Sequence, residues 1–208
     1  MQGKFIVIEG LEGAGKSTAI ETVITHLKSK GIADVITTRE PGGTPIAEAL
    51  RDIIKGNVFE EKIFSQTELL LMYAARVQLL NLVIKPAIDN GCWVVADRFE
   101  LSTFAYQGAG RGLELNFIEE LSRFCLSDFS PDLTLYLDIE PGAGLQRVEQ
   151  RGQKDRIEQE PLDFFERIRA CYQKKVCQNP KAVTIDAHKP LEQVKKTIIE
   201  SLDVLGLS

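Results

Sequence analysis

Residues 10–17 read GLEGAGKS, and this octet constrains the fold more than any other stretch of the chain. It matches G-x-x-x-x-G-K-[ST] at Gly10, Gly15, Lys16 and Ser17, between the apolar run Phe5 to Ile8 and a stretch with helical spacing. Glycines at a strand-to-helix turn let the backbone wrap tightly, so that successive N–H groups and the helix N-terminus aim at one anion. Gly10, Leu11, Glu12, Gly13, Ala14 and Gly15 are expected to form a triphosphate cradle, with Lys16 bridging the outer phosphates and Ser17 reaching Mg2+.

Five short β-branched or apolar runs read as strands: Lys4 to Ile8, Asp34 to Thr38, Cys92 to Ala96, Leu133 to Ile139 and Ala182 to Ile185. Helical spacing fills 16–30, 45–55, 66–89, 114–126, 142–151, 161–177 and 190–205. Near-continuous hydrophobicity suits strands covered on both faces, which predicts a three-layer α/β/α fold around a five-stranded parallel sheet. No repeat or linker divides the chain, so residues 1–208 are expected to be one domain. In the long helix, Leu69, Met72, Arg76, Leu79, Leu80, Val83 and Ile84 share a face that reads as core, with a partner subunit as the alternative for any exposed part. The charge-dense segment 147–160, with Gly152 inside it, reads as a mobile lid.

Twenty-five Lys and Arg against thirty Asp and Glu give a net charge of −5, so no global positive field exists to hold nucleic acid or an acidic membrane. The longest uninterrupted apolar run, Leu69 to Ala75, is far short of the ~20 residues that cross a bilayer. The apolar run near the N-terminus is too brief for a signal peptide, and the protein is expected in the cytoplasm. Cys92, Cys125, Cys171 and Cys177 form no C-x-x-C pair and are expected to be free, buried thiols.

Arg39 and Arg98 follow predicted strands, and Arg76 lies on a helix that can face them. Ligands of open α/β sheets collect beyond the carboxyl ends of strands, so these arginines are expected to converge on a second anion beside the cradle. Asp97 would hold metal-bound water or orient Arg98. Neither His26 nor His188 lies near these clusters in sequence, and no other side chain reads as a convincing general base. A hydroxyl acceptor needs its proton removed, whereas a phosphate monoester oxygen is already anionic, so a monophosphate acceptor is expected. Arg147, Arg151, Lys154 and Arg156 would bring positive charge to the transferring group when the lid closes.

Together, GLEGAGKS, TREPGGT, YAARVQ, DRFELSTFAYQGAGR and RGQKDRIEQE resemble one family, the bacterial thymidylate kinases, from Phe5 to the IDAHKPLE segment. The resemblance implies transfer of the γ-phosphoryl of ATP to dTMP, giving dTDP and ADP for dTTP biosynthesis, with Mg2+ and in a homodimer packed through long helices. It implies that Glu12 replaces an arginine found in the other family subtype and that Arg151 supplies the missing charge. Arg39 and Arg98 would grip the dTMP phosphate, Arg76 would reach a thymine carbonyl, and Gln107 would bond the base near Ser102. Arg147, Arg156 and Ala187 fall on the ATP side, with Arg147 and the IDAHKP stretch lining adenine.

One position departs from the pattern. Where the family places a phenylalanine against thymine, this chain has Met72, a softer and less rigid cover; Tyr73 is the substitute if the helix is rotated. Met72 keeps open a kinase for a different nucleoside monophosphate. A nucleotide-dependent switch is the non-enzyme alternative, although the [NT]-K-x-D motif of guanine-specific switches is missing.

Overall fold

The computed structural model describes residues 3–56, 60–152 and 155–206, and for Arg151 the backbone alone. Strands β1 (Phe5–Gly10), β2 (Val35–Arg39), β3 (Trp93–Asp97), β4 (Leu133–Asp138) and β5 (Ala182–Asp186) form one parallel sheet in the order β2-β3-β1-β4-β5. Alternation along the strands divides the core: Ile6, Ile8 and Val95 join Val23, Leu27 and Ile198, while Phe5, Val7, Val94 and Ala96 join Leu79, Leu80 and Ile84. This is the expected α/β sandwich. The inner strands are buried along β1 and in all but the last residue of β3 and β4, whereas the edge strands β2 and β5 mix exposed and half-buried residues, with Ile185 alone buried.

Helices α1 (Lys16–Ser29) and α9 (Leu191–Leu202) pack together on one face of the sheet. Helix α2 (Pro45–Lys55) is capped by its sequence: the Thr44 hydroxyl accepts from the Ala47 N–H at 3.2 Å, Pro45 opens the first turn and Lys55 closes the last. The expected long helix is continuous from Ser65 to Asp89 but not uniform, because α3 (Ser65–Leu79) passes through a π-helical turn, Leu80–Ile84, into α4 (Lys85–Asp89). The wider turn stands directly before Pro86, whose ring and missing N–H do not fit a regular α-helix. By length and composition this helix is apolar enough to cross a membrane, unlike any uninterrupted apolar run in the sequence, yet half of its apolar window is buried inside the protein. Every residue of its predicted stripe is buried except Val83, which is half-buried.

Residues 100–110 differ from expectation. They form α5 (Glu100–Thr103) and a π-helical segment, Phe104–Gly110, where the glycines of YQGAGRG gave no helical signal. Packing overrides propensity, since a β-carbon on Gly110 would come within 2.7 Å of Phe164. Helices α6 (Leu115–Leu126), α7 (Pro141–Arg151) and α8 (Leu162–Cys177) complete the fold. All four cysteines are free as expected, but Cys177 is exposed and the other three are half-buried.

Candidate active site

The cradle begins where β1 ends. Gly13 and Gly15 have φ of 76° and 92°, which side-chain-bearing residues rarely adopt, and a β-carbon on Gly13 would sit 2.2 Å from the Gly144 carbonyl oxygen of α7. No side chain caps α1 and no acid occupies its first turn, so its leading N–H groups remain available to an anion. Lys16 Nζ donates to the Gly10 and Leu11 carbonyls at 3.2 and 3.0 Å. Burial, followed by repulsion from Arg98, draws its pKa down to about 8, and a phosphate beside it would reverse that shift.

Parallel register sets Arg39 opposite Asp97, and Asp97 opposite Ile8, so the ends of β2, β3 and β1 open into one cleft of about 590 Å3. Lys16, Ser17, Arg39, Asp97 and Arg98 line it as the sequence predicts, joined by Arg51 and Lys55 of α2, which sequence reasoning missed. Neither histidine lines the cleft. Arg39 is half-exposed and pairs with Glu48 at 2.9 Å. Arg98 has φ 71°, and its guanidinium meets Glu12 at 2.6 Å, the Tyr106 hydroxyl at 3.0 Å, and Ser102 and Tyr172 at 3.2 Å each. Burial alone would raise the Glu12 pKa; the Arg98 and Lys16 cations outweigh it and hold the carboxyl at about 2.

Behind this cluster lies Glu9, fully buried at the end of β1 and unmarked in the sequence beyond its place before Gly10. It accepts from the Phe99 and Ser102 N–H groups, the Ser102 hydroxyl at 2.6 Å and the Tyr172 hydroxyl at 3.0 Å. Burial raises its pKa against the pull of Arg98. Ser102 is thereby fixed between Glu9 and Arg98.

An apolar pocket adjoins the cleft, lined by Met72, Ile54, Pro41, Tyr106 and Ile157 together with Ser102, Gln107, Glu40, Glu12 and Arg98. Met72 therefore faces the pocket. Tyr73 does not substitute for it: its hydroxyl donates to Glu100 at 3.0 Å, with Ile118 O at 3.4 Å, on the α6 side. Arg76 is also not the phosphate-ready group expected. It is fully buried and lines neither cavity, with Nε on Glu40 at 2.7 Å and Nη2 on Thr103 and the Phe99 carbonyl. Burial carries the Glu40 pKa up to about 7, Arg76 opposing it. Arg76 Nη1, Glu40 Oε1 and Gln107 Oε1 are buried with no partner among the described residues.

On the other side of the cradle, Arg147 and Ala187 line one cavity of about 230 Å3 with Ala14, Gly15 and Thr18. Arg147 Nη1 donates to the Gly13 carbonyl at 3.0 Å. Arg156 is a correction: it turns away from the cradle, with Nε on the Ile54 carbonyl at 2.8 Å and Nη2 on Glu68 of α3. Asp155 pairs with Lys55 at 2.7 Å, so residues 155–160 are tied to α2 and α3. Lys154 and the Arg151 side chain lie outside the described residues.

No cluster of three or more His, Cys, Asp or Glu among the described residues can hold a metal. Asp97 Oδ1, however, is buried in the cleft without a partner among those residues, in the same lining as Ser17.

The family profile described as thymidylate kinase matches residues 8–198. A thymidylate kinase of Legionella pneumophila (strain Corby) is 57% identical over 198 residues, 95% of this chain and 93% of that protein. The thymidylate kinase of strain Paris is 56% identical over the same shares. Because the likeness runs through every element that shapes the cleft, from β1 to α9, the chain belongs to the thymidylate kinase family.

Proposed function

We propose that the cleft is where the family's reaction takes place: the chain is an enzyme that transfers the γ-phosphoryl group of ATP to dTMP, releasing ADP and dTDP. One observation carries the assignment to this site. Lys16 of the cradle and Arg98 after β3 open into one cavity, beside an apolar pocket, so two anions can meet with cations on both sides. The acceptor oxygen carries no proton that must first be removed, which fits a cleft without histidine.

In this reading the cradle N–H groups and Lys16 hold the ATP phosphates, and Arg147 with Ala187 borders adenine. Arg39 and Arg98 hold the dTMP phosphate while Met72 covers the base and Gln107 and Ser102 meet its polar edge. Arg76, fully buried outside both cavities, acts from behind the site by holding Glu40, which lines them. Arg151 brings charge to the transferring group as segment 147–160 closes. Ser17 and the unpartnered Asp97 oxygen line the same cleft and would hold Mg2+, which would neutralise phosphate charge. The enzyme acts as a cytoplasmic homodimer, for which Leu70 and Leu82 on the long helix and Phe117 and Phe124 on α6, each exposed, offer apolar contacts.

A coupled ADP-release assay with a panel of nucleoside monophosphates tests the function. Strong stimulation by dTMP is expected. Stimulation by another monophosphate in preference to dTMP would reassign the acceptor, and slow ADP release indifferent to all of them would indicate a switch.

A further inference from the structure

Gln107 lines the apolar pocket beside Met72 and Ser102, and its amide has two unlike ends. The nitrogen is spent, donating to Glu68 Oε1 at 2.8 Å. The oxygen is buried and has no partner among the described residues. Leaving such an oxygen unpaired costs about 1–3 kcal/mol, so something must prevent the amide from turning over.

Glu68 does so. It lies one helical turn before Met72 on α3 and is 1% exposed. Arg111 donates to both of its oxygens, through Nε and Nη2 at 3.2 Å each, and Arg156 donates to Oε2. Burial opposes its charge, but Arg111, Gln107 and Arg156 together keep its carboxyl below the ordinary value. An ionised carboxylate can only accept. Turning the Gln107 amide over would set its oxygen against a Glu68 oxygen, lone pair on lone pair.

We propose that Glu68 is a positioning residue that sets base selectivity: it fixes the Gln107 amide with its carbonyl oxygen free for the pocket, so that the site demands an N–H donor from the base. This rests on the dTMP reading above. Thymine presents such a donor, N3–H, between two carbonyl groups. Cytosine has a bare acceptor nitrogen at that ring position and would leave two facing acceptors buried.

The test is Glu68→Gln, which preserves shape. Arg111 and Arg156 still claim the side-chain oxygen at position 68, so its amide nitrogen faces Gln107, which must turn its NH2 toward the pocket. The ratio of kcat/KM for dTMP to that for dCMP is expected to fall at least about tenfold, with dCMP gaining in absolute terms. A carboxylate that merely braces helices would lower both values together, so an unchanged ratio overturns the proposal. If circular dichroism shows that Glu68→Gln does not fold, Gln107→Leu replaces it. Its dTMP preference must drop by a similar factor, and retention of the wild-type ratio overturns the proposal. Wild-type enzyme that fails to phosphorylate dTMP sinks the assigned reaction itself; normal wild-type activity with an unmoved ratio sinks only the role of Glu68.

Discussion

Glu12 and Arg98, 86 residues apart in sequence, meet at 2.6 Å, so a carboxylate of the phosphate cradle holds the arginine that follows the third strand. The pair ties the two halves of the cleft together before any ligand arrives. Its strength is testable through pH. With a folded-state pKa of about 2 against an ordinary 4.5, Glu12 stabilises the fold fully above pH 4.5 and loses that contribution as pH falls toward 2. Glu12→Gln should therefore lower stability by about 3 kcal/mol at pH 7 and by clearly less at pH 3. Urea unfolding at both pH values reads this, and an equal loss at each would show that charge is not the cause.

Arg98→Ala should act mainly on the acceptor. The KM for dTMP is expected to rise at least about tenfold while the KM for ATP stays within about threefold, as for a lost charged hydrogen bond on one substrate. Steady-state kinetics with each substrate varied separately checks this; an unaltered dTMP affinity would contradict the placement of Arg98.

Lys16→Ala and Arg151→Ala should each lower kcat by at least about a hundredfold, the scale of removing one partner of transition-state charge. Single-turnover measurement of phosphoryl transfer is the direct readout. Normal turnover in Arg151→Ala would move the catalytic charge elsewhere, with Arg51 and Lys55 the nearest alternatives in the cleft.

Met72→Phe should leave the KM for dTMP within about threefold or lower it, because a flat ring replaces an adaptable thioether of similar volume. Met72 is 7% exposed in the pocket wall. A large rise in KM would mean that the base does not lie against this residue.

Leu70→Glu combined with Phe124→Glu should convert the protein to a monomer, since charge on an apolar interface carries the cost of burying an unpaired ion. Light scattering should give about twice the chain mass of 23.2 kDa for the wild type and the single mass for the variant. A wild-type protein of single-chain mass would remove the dimer.

The fold was legible because each inner strand is an apolar run and each long helix carries spacing of its own, and the cradle because its glycines and lysine are contiguous. The buried carboxylates were not. Glu9, Glu40 and Glu68 owe their roles to partners 36 or more positions away, such as Ser102, Arg76 and Gln107, and a lone glutamate carries no local sign of that. One signal was available: Glu68, Met72 and Arg76 fall at four-residue spacing on a stripe that is otherwise apolar, and charges on a buried stripe announce polar partners inside. Arg76 reads toward a second anion because it accompanies two other arginines and the cradle, yet it also lies on the stripe read as core, and its full burial against Glu40 favours the core.

Gly13 and Gly144 bring the donor loop and the root of the lid helix into contact through main chain alone. A β-carbon on either residue would fall within 2.6 Å of a carbonyl oxygen on the opposing segment. Such a seam has no side chain to trim or enlarge, so a change on one side cannot be answered by a change on the other. At Gly152, which caps the far end of the same helix, an added β-carbon would meet nothing, and only the positive φ of 117° opposes a side chain there. The start of this helix is thus gauged by the glycine loop it abuts, and its far end is not.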